Sequence, residues 1–209
     1  MNNHSYSKVI AFSSIFGALA LMISLSGLAT VFSYPLAPFL KFDISEVVDV
    51  VALFLGGYLV GFITTFIHML GLFVMGVDVP IGPPLKFLAI ISMFPGFYIG
   101  KILRNKMGTS AYKSNLVGYF MAVNFRWIVM TIVNAVVLLY LVPYYLTFFI
   151  PQSSGNISDI NVFLANKELV FKALMTALGI IASYNVFHGI FTIVVSVAIY
   201  NIIKRTLNI

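Results

Sequence analysis

Six polar or ionisable side chains stand inside long apolar stretches of this 209-residue sequence. They are His68, Lys86, Arg126, Asn134, Asn185 and His188. Such groups are costly in an apolar environment, and by default they indicate a functional site. Four of the six are cationic or can become so, and no acidic residue lies equally deep in an apolar stretch. These side chains could form hydrogen bonds to a ligand, and the bonds would be charge-assisted and stronger if the ligand is an anion.

The spacing groups these side chains on shared helix faces. Asn134 follows Arg126 by eight residues and His188 follows Asn185 by three, so each pair lies on one face of a helix. Taken alone, each residue is better explained by helix packing, whereas Arg126, Asn185 and His188 together favour a ligand site. Two alternatives stay open. The cations can pair with nearby acids instead, and the chain can be a structural membrane subunit whose buried polar groups only hold helices together.

The acids available for such pairing are Asp43, Glu46 and Asp49, which lie at the ends of neighbouring apolar segments. Each could neutralise one of the deep cations, because an opposite charge within a few ångströms favours the charged form of both groups. The sequence does not decide between this pairing and a ligand.

The sequence carries no recognisable catalytic motif. It has no phosphate-binding loop of the Walker type, so the chain cannot hydrolyse ATP by itself, and it lacks a nucleophile-serine motif, HExxH and a carboxylate dyad. An intramembrane hydrolase could use His68 and His188 with Ser92 or Ser183, but nothing in the spacing fixes a nucleophile and a base at hydrogen-bond distance. We predict a protein that is not an enzyme, with no catalytic residues, no metal site and no cofactor.

The apolar stretches set the fold class. Hydrophobic residues make up 61% of the chain and charged residues 9%, against about 25% charged in soluble domains. Val9–Ser33, Leu116–Ile150 and Ala173–Ile203 each provide the roughly 20 apolar residues that cross a membrane as a helix. Val47–Leu55 does not alternate apolar and polar residues as a barrel strand would. We predict an all-α integral membrane protein, a single membrane domain over residues 1–209, multi-pass in the plasma membrane.

The charge distribution gives the number of crossings. Lys8, the four basic residues from Lys101 to Lys113, and Lys204 with Arg205 form three basic segments without an acid, and all six acids lie in or beside the other connections. Cytoplasmic segments carry the excess of Lys and Arg, so both termini and the middle loop are predicted to be cytoplasmic. That requires a helix break near Gly56-Gly57. Six transmembrane helices are predicted, over Val9–Val31, Glu46–Gly56, Tyr58–Met75, Pro83–Leu103, Asn115–Leu141 and Gly179–Ile203.

Three connections are predicted on the outer side. Ser33–Ser45 is a Pro-rich apolar loop that ends in charge, and Gly76–Pro84 is dense in turn-forming residues. Gln152–Lys172 is the longest and most polar. It leads into NVFLANKELVFKAL, where Phe163 and Phe171 alternate with charged residues as in an amphipathic helix that lies on a membrane or over a pocket.

The order of several motifs resembles a known family. PFLKFDISEVVDVVALFLGGYLVGFITTFIHMLG followed by DVPIGPPLKFLA is similar to S components, the substrate-binding membrane subunits of energy-coupling-factor (ECF) vitamin transporters, and most similar to the riboflavin type. The shared features are an L-x-F/L-D-x-S-D/E entry, a small-residue break and a P-x-G-P turn. Here they are Leu40, Phe42, Asp43, Ser45 and Glu46; Gly56, Gly57 and Gly61; and Pro80, Gly82 and Pro83. MTIVNAVVLLYLVPYY and YNVFHGIFTIVVSVAIYNIIKR also resemble family segments, so the likeness covers most of the chain.

The resemblance implies a high-affinity vitamin-binding subunit of an ECF-type ABC importer, which captures a small-molecule vitamin in an outward pocket. Its implied partners are a scaffold membrane subunit and two ATPase subunits, with no nucleic acid. In the family, small residues four apart on the first span contact the scaffold subunit. The matching positions are Ser13 with Gly17 and Ser14 with Ala18, and small residues allow close helix approach.

The resemblance also implies a pocket. Riboflavin-type members use an Asn on the fifth span and an Asn and a Lys on the sixth. The matching positions are Asn134, Asn185 and His188, the last of which departs from the family pattern.

Two further cations depart from that pattern. Lys86 stands where a neutral amide is usual, and Arg126 has no recognised counterpart. Asp43 and His68 complete the predicted substrate-binding set. Riboflavin is neutral, so these cations would suit a carboxylate-bearing vitamin such as pantothenate, because charge-assisted hydrogen bonds are about twice as strong as neutral ones. Riboflavin is the favoured substrate and pantothenate the alternative.

Overall fold

Eight α-helices and one two-stranded hairpin make up the part of the chain that the computed structural model describes, residues 3–28, 33–108, 110–149 and 160–208. In chain order they are α1 (Asn3–Leu25), β1 (Ser33–Tyr34), β2 (Ala37–Lys41), α2 (Ser45–Gly56), α3 (Tyr58–Val74), α4 (Gly82–Ile91), α5 (Phe94–Met107), α6 (Ala111–Val136), α7 (Ile160–Ala165) and α8 (Lys167–Leu207). A π-helical turn, Val137–Leu141, and a 3₁₀ helix, Pro143–Phe149, follow α6. The mostly helical class predicted from the sequence is confirmed.

Four segments are long and apolar enough to cross a membrane. They are Tyr6–Leu25, Gly82–Lys106, Ala111–Leu141 and Lys167–Leu207. The other two predicted spans are shorter, since α2 has 12 residues and α3 has 17. At 1.5 Å per residue α2 is about 18 Å long, well short of the roughly 30 Å hydrocarbon layer. Six crossings with cytoplasmic termini therefore stay a prediction.

The helix break predicted near Gly56-Gly57 is present. α2 ends at Gly56 and α3 begins at Tyr58. Gly57 between them has φ +82°, a conformation that side chains other than glycine rarely adopt. Its backbone N–H donates to the Leu53 carbonyl, which closes the end of α2. The turn lets α3 pack back against α2.

The predicted fourth span is two helices, which corrects the single helix expected over Pro83–Leu103. α4 ends at Ile91 and α5 begins at Phe94. Pro95 stands in the first turn of α5, where it cannot donate to the Ile91 carbonyl and would clash with it in a continuous helix. The last turn of α4 tightens instead, with the Met93 N–H donating to Ile90. The break puts Met93 at the centre of the bundle, where it is fully buried.

The predicted Pro-rich loop contains a small antiparallel hairpin, which the all-α prediction missed. Tyr34 pairs with Ala37 and Ser33 with Lys41. Two side-chain hydrogen bonds attach the hairpin to α8: the hydroxyls of Tyr34 and Ser183 lie 2.8 Å apart, and Tyr184 donates to the Lys41 carbonyl at 2.5 Å. The hairpin is thus held against the middle of α8.

The final span is much longer than the predicted Gly179–Ile203, and the amphipathic segment before it is not one separate helix. α7 ends at Ala165, Asn166 caps the next helix by accepting from the Leu169 N–H, and α8 then runs unbroken for 41 residues. No proline interrupts it, so the apolar and amphipathic parts form one rod about 62 Å long. Phe163 is fully buried, whereas Phe171 is exposed.

Small residues bring α5 and α6 into close contact. A Cβ at Gly96 would lie 2.1 Å from the Ala122 nitrogen, and one at Gly100 would lie 2.9 Å from the Gly118 Cα. Glycine or alanine at every fourth position is the pattern that lets membrane helices approach closely. The contact fixes α6, which carries Arg126 into the bundle centre.

Candidate functional site

Three acids at the start of α2 each face one basic side chain from another helix. Asp43 pairs with Lys86 of α4, Glu46 with Arg126 of α6, and Asp49 with His68 of α3. The acids are three residues apart, a spacing that places side chains on one helix face. The pairing alternative left open by the sequence is therefore the arrangement in the structure.

Arg126 and Glu46 form a buried pair with a two-point contact. Arg126 Nη1 donates to Glu46 Oε2 at 2.5 Å and Nη2 donates to Oε1 at 3.3 Å, with side-chain exposures of 2% and 4%. This two-point contact is the geometry for which guanidinium suits carboxylate best. Arg126 Nε also donates to Asn185 Oδ1 at 3.4 Å, so the amide orients the guanidinium. The guanidinium of Arg126 is therefore fully engaged within the protein.

His188 completes this cluster from α8. Arg126 Nη2 lies 3.1 Å from His188 Nδ1, and because a guanidinium only donates, Nδ1 accepts. The ring proton then belongs on Nε2, which donates to the Asp43 carbonyl at 3.4 Å. His188 is 1% exposed and connects α8 to the entry of α2.

Lys86 lies in a second, less buried cluster. Its ammonium contacts the Asp43 carboxylate and donates to Ser24 Oγ at 3.1 Å. Ser24 in turn donates to Ser45 Oγ at 2.8 Å, and Ser45 donates to Asp43 Oδ1 at 2.5 Å. The four side chains close a ring of hydrogen bonds that joins the end of α1 to the starts of α2 and α4.

His68 extends this ring towards Asp49. His68 Nδ1 lies 2.9 Å from Asp49 Oδ2, and Nε2 lies 2.9 Å from Ser24 Oγ, so serine, histidine and aspartate stand in the order of a nucleophilic triad. Ser24 Oγ also lies within hydrogen-bond distance of Ser45 Oγ and Lys86 Nζ. This serine is therefore one member of a polar network that joins α1 to α2, α3 and α4.

A cavity of about 400 Å³ opens beside both clusters. Its size is within the range of small-molecule sites, about 300–1,000 Å³. Its polar lining includes Ser24, Lys41, Asp43, Glu46, Asp78, Lys86, Arg126, Asn134, Tyr184 and Asn185. Its apolar lining comes mainly from α3, α4, α6 and α8, with Leu72, Leu85, Ala89, Met130 and Ile181. An apolar cleft with a few convergent polar groups is the usual form of a ligand site.

Five of the seven predicted substrate-binding residues line this cavity: Asp43, Lys86, Arg126, Asn134 and Asn185. His68 and His188 do not; both are buried behind the lining and act through Ser24 and Arg126. Asn134 Nδ2 donates to the Met130 carbonyl at 2.7 Å, which leaves its amide oxygen available to a ligand. Sequence reasoning missed Ser24 and Tyr184 as lining residues, because a serine and a tyrosine near helix ends carry no distinguishing signal.

The predicted scaffold-contact residues on α1 point in two directions. Ser13 is buried and donates to the Val60 carbonyl, and a Cβ at Gly17 would lie 2.8 Å from Ile67 of α3. Ser14 and Ala18 are exposed on the other side of the helix. The contact with a scaffold subunit stays a prediction, for Ser14 and Ala18.

No family model matches the sequence, and no curated protein matches it. Among solved structures, the chain is similar to one described as "Structure and mechanism of the S component of a bacterial ECF transporter". The identity is 24%, the TM-score is 0.70, and the match covers 97% of this chain and 98% of that one. The fold is that of an ECF transporter S component. The match extends over nearly the whole length of both chains, so the likeness concerns the overall fold.

Proposed function

We propose that this chain is the substrate-binding S component of an ECF-type importer, a high-affinity binder of a small vitamin, with riboflavin as the first candidate. The observation that carries the proposal is the cavity of about 400 Å³, lined by Asn134 and Asn185, in a chain that shares the S-component fold from end to end. A cleft that combines apolar walls with two amides and internally paired charges suits a ligand with a flat apolar body and hydrogen-bonding edges.

The ion pairs favour a neutral ligand over a carboxylate. Lys86 and Arg126 were the reason for considering pantothenate, yet both are neutralised within the protein. A ligand carboxylate could recruit Arg126 only by leaving Glu46 buried without its partner, which is strongly unfavourable. Among the described residues, Lys41 is the one cation of the cavity lining that forms no ion pair. Its side chain is exposed at the rim.

The test is ligand-dependent thermal stabilisation of the purified protein against a panel of vitamins. A ligand at 100 times its dissociation constant adds about 2.7 kcal/mol to stability. We expect riboflavin to raise the melting temperature and the purified protein to be yellow. If pantothenate alone stabilises the protein and the Lys41→Gln variant loses this effect, pantothenate would replace riboflavin as the proposed substrate. The proposed transport class would be unchanged. A panel in which no vitamin stabilises the protein would refute the proposal.

A pair of matched variants locates the site. Asn134 and Asn124 both lie on α6, and each donates its amide N–H to the carbonyl four residues earlier, but only Asn134 lines the cavity. Asn134→Ala should weaken riboflavin binding by about 1–3 kcal/mol, the cost of an unpaired buried partner. Asn124→Ala should leave binding unchanged. Equal losses in both would place the ligand elsewhere.

The proposal includes the membrane arrangement and the partners. Six crossings in the plasma membrane, both termini cytoplasmic, and a single membrane domain over residues 1–209 fit the segregation of basic and acidic residues. The proposed partners are a scaffold subunit and two ATPase subunits, and a sequence without a phosphate-binding loop agrees with ATPase activity supplied by other chains. The isolated chain should bind vitamin without hydrolysing ATP, and ATP turnover by the chain alone would contradict this.

A further inference from the structure

A second cavity, of about 560 Å³, lies at the opposite end of the bundle from the candidate vitamin site. α6 contributes Asn115 to this cavity and Met130 to the vitamin site, and α8 contributes Tyr200 and Asn185 respectively. Fifteen helical residues separate the members of each pair, which is about 22 Å. The two cavities are therefore separate sites.

The second cavity is lined by hydrogen-bond donors and by positive charge. Its cations and amides are Lys101, Arg104, Lys204, Asn105, Asn115 and Asn201. Among the described residues, no acidic side chain lines it, and none of the three cations forms an ion pair. This contrasts with the vitamin site, where the deep cations are all neutralised by acids.

The walls of this cavity are aromatic and apolar. Lys101 Nζ lies 5.7 Å from the centre of the Tyr58 ring, and that ring packs edge-on against Tyr98, which is exposed on the outside of the bundle. Leu53 and Phe97 line the interior. The three cations are exposed and therefore lie at the mouth of the cavity, next to the exposed aromatic side chain of Tyr98 that packs on Tyr58.

We propose that this basic cavity binds a phosphate group, presented by an anionic phospholipid at the cytoplasmic surface. A guanidinium, two ammonium groups and amide N–H donors are the groups that bind phosphate oxygens in proteins. The cavity contains residues of two of the three basic segments that the sequence predicts to be cytoplasmic, and basic pockets between membrane helices on that side hold lipid head groups. Inorganic phosphate or a soluble phosphate ester has the same chemistry, and the experiment separates the two sources.

The experiment uses the purified full chain in neutral detergent, titrated with dioctanoyl phosphatidylglycerol, dioctanoyl phosphatidylcholine or inorganic phosphate and followed by native mass spectrometry. The test variant is Lys101→Gln/Arg104→Gln/Lys204→Gln. The control is Lys106→Gln/Lys113→Gln/Arg205→Gln, which removes the same charge from exposed residues outside the cavity. A melting curve for each variant confirms that it is folded. If the triple variant is not folded, the single variant Arg104→Gln takes its place in the titration.

We expect phosphatidylglycerol to bind the natural chain and the control more tightly than phosphatidylcholine. The test variant should bind it about 100-fold more weakly, since each cation near an anionic surface contributes about a factor of five. If inorganic phosphate binds as tightly as phosphatidylglycerol and the test variant loses both, the cavity is a phosphate site whose ligand is a soluble phosphate and not a lipid. Equal losses in test and control, or no preference for phosphatidylglycerol, would overturn the proposal. Vitamin binding should be unaffected throughout, so this result is independent of the proposed function.

Discussion

Glu46→Gln isolates the contribution of the buried Arg126–Glu46 ion pair. The substitution keeps the shape of the side chain and removes its charge, which leaves the Arg126 guanidinium buried without a carboxylate, next to Asn185, His188 and the weakly accepting sulfur of Met93. Removing one partner of a buried pair costs about 3–5 kcal/mol, because the remaining charge is not compensated. The lower end, about 3 kcal/mol, is expected here, because the glutamine oxygen still accepts one hydrogen bond.

The double variant Glu46→Gln/Arg126→Met shows whether the loss comes from the stranded charge. Replacing a whole buried pair by uncharged groups is often neutral or stabilising, so the second substitution should restore most of the stability lost in the first. The free energy of unfolding would be measured by titration of mixed micelles with SDS, followed by circular dichroism.

The matched control is Glu168→Gln, which removes the charge of a glutamate in an ion pair with Lys172 on the exposed surface of α8. Exposed pairs contribute little, so this variant should unfold like the natural chain. Two results would refute the reasoning: a Glu46→Gln variant as stable as Glu168→Gln, or a double variant less stable than Glu46→Gln. The first result would mean that the buried pair does not hold α2 against α6, and the second that the lost stability does not come from the stranded charge of Arg126.

Three further predictions follow from the fold and the proposed function. The chain has no cysteine, so the single variants Ser110→Cys and Lys172→Cys can each be labelled specifically. A membrane-impermeant thiol reagent added outside intact cells should label only Lys172→Cys. Labelling of both variants would refute the six-span model. Ala18→Trp should block close approach of a scaffold helix and reduce vitamin uptake in cells, while the purified protein still binds vitamin; loss of binding as well would give this face a role in folding. Gly96→Leu should lower stability by at least about 1–3 kcal/mol, because its side chain would meet the α6 backbone. Gly179→Leu, whose Cβ meets nothing within 4 Å, is its control in the same unfolding assay.

The parts of the fold that composition and charge determine were predictable. The helix break at Gly57 followed from counting crossings, and its φ of +82° gives the physical reason for a glycine there. Arg126, Asn185 and His188 were predicted to form a ligand site together. They lie in one hydrogen-bonded cluster, and their role in ligand binding stays a prediction. These features depend on local sequence and on the cost of polar groups in an apolar environment.

The features that the sequence did not give depend on tertiary contacts. The hairpin has strands of two and five residues, too short for a periodic pattern, and its attachment to α8 through Tyr34 and Tyr184 joins residues about 150 positions apart. The continuous α8 was missed because its first part is amphipathic and its later part apolar, which suggested two helices. A change in polarity along a helix does not end it; a proline or a cap does.

The charge of the site could not be decided from the sequence. Asp43, Glu46 and Asp49 stand in the sequence at a loop and the start of a helix, so it stayed open whether they pair with the deep cations or leave them to a ligand. Because α2 is only about 18 Å long, its start lies within the depth of the bundle, and the three acids enter with it. Each then meets a base from a different helix, which makes the polar interior nearly neutral and ties α2 to α3, α4 and α6. A ligand that carries one negative charge must break one of these pairs or stay at the rim near Lys41. A neutral ligand can occupy the cavity and leave all three pairs intact.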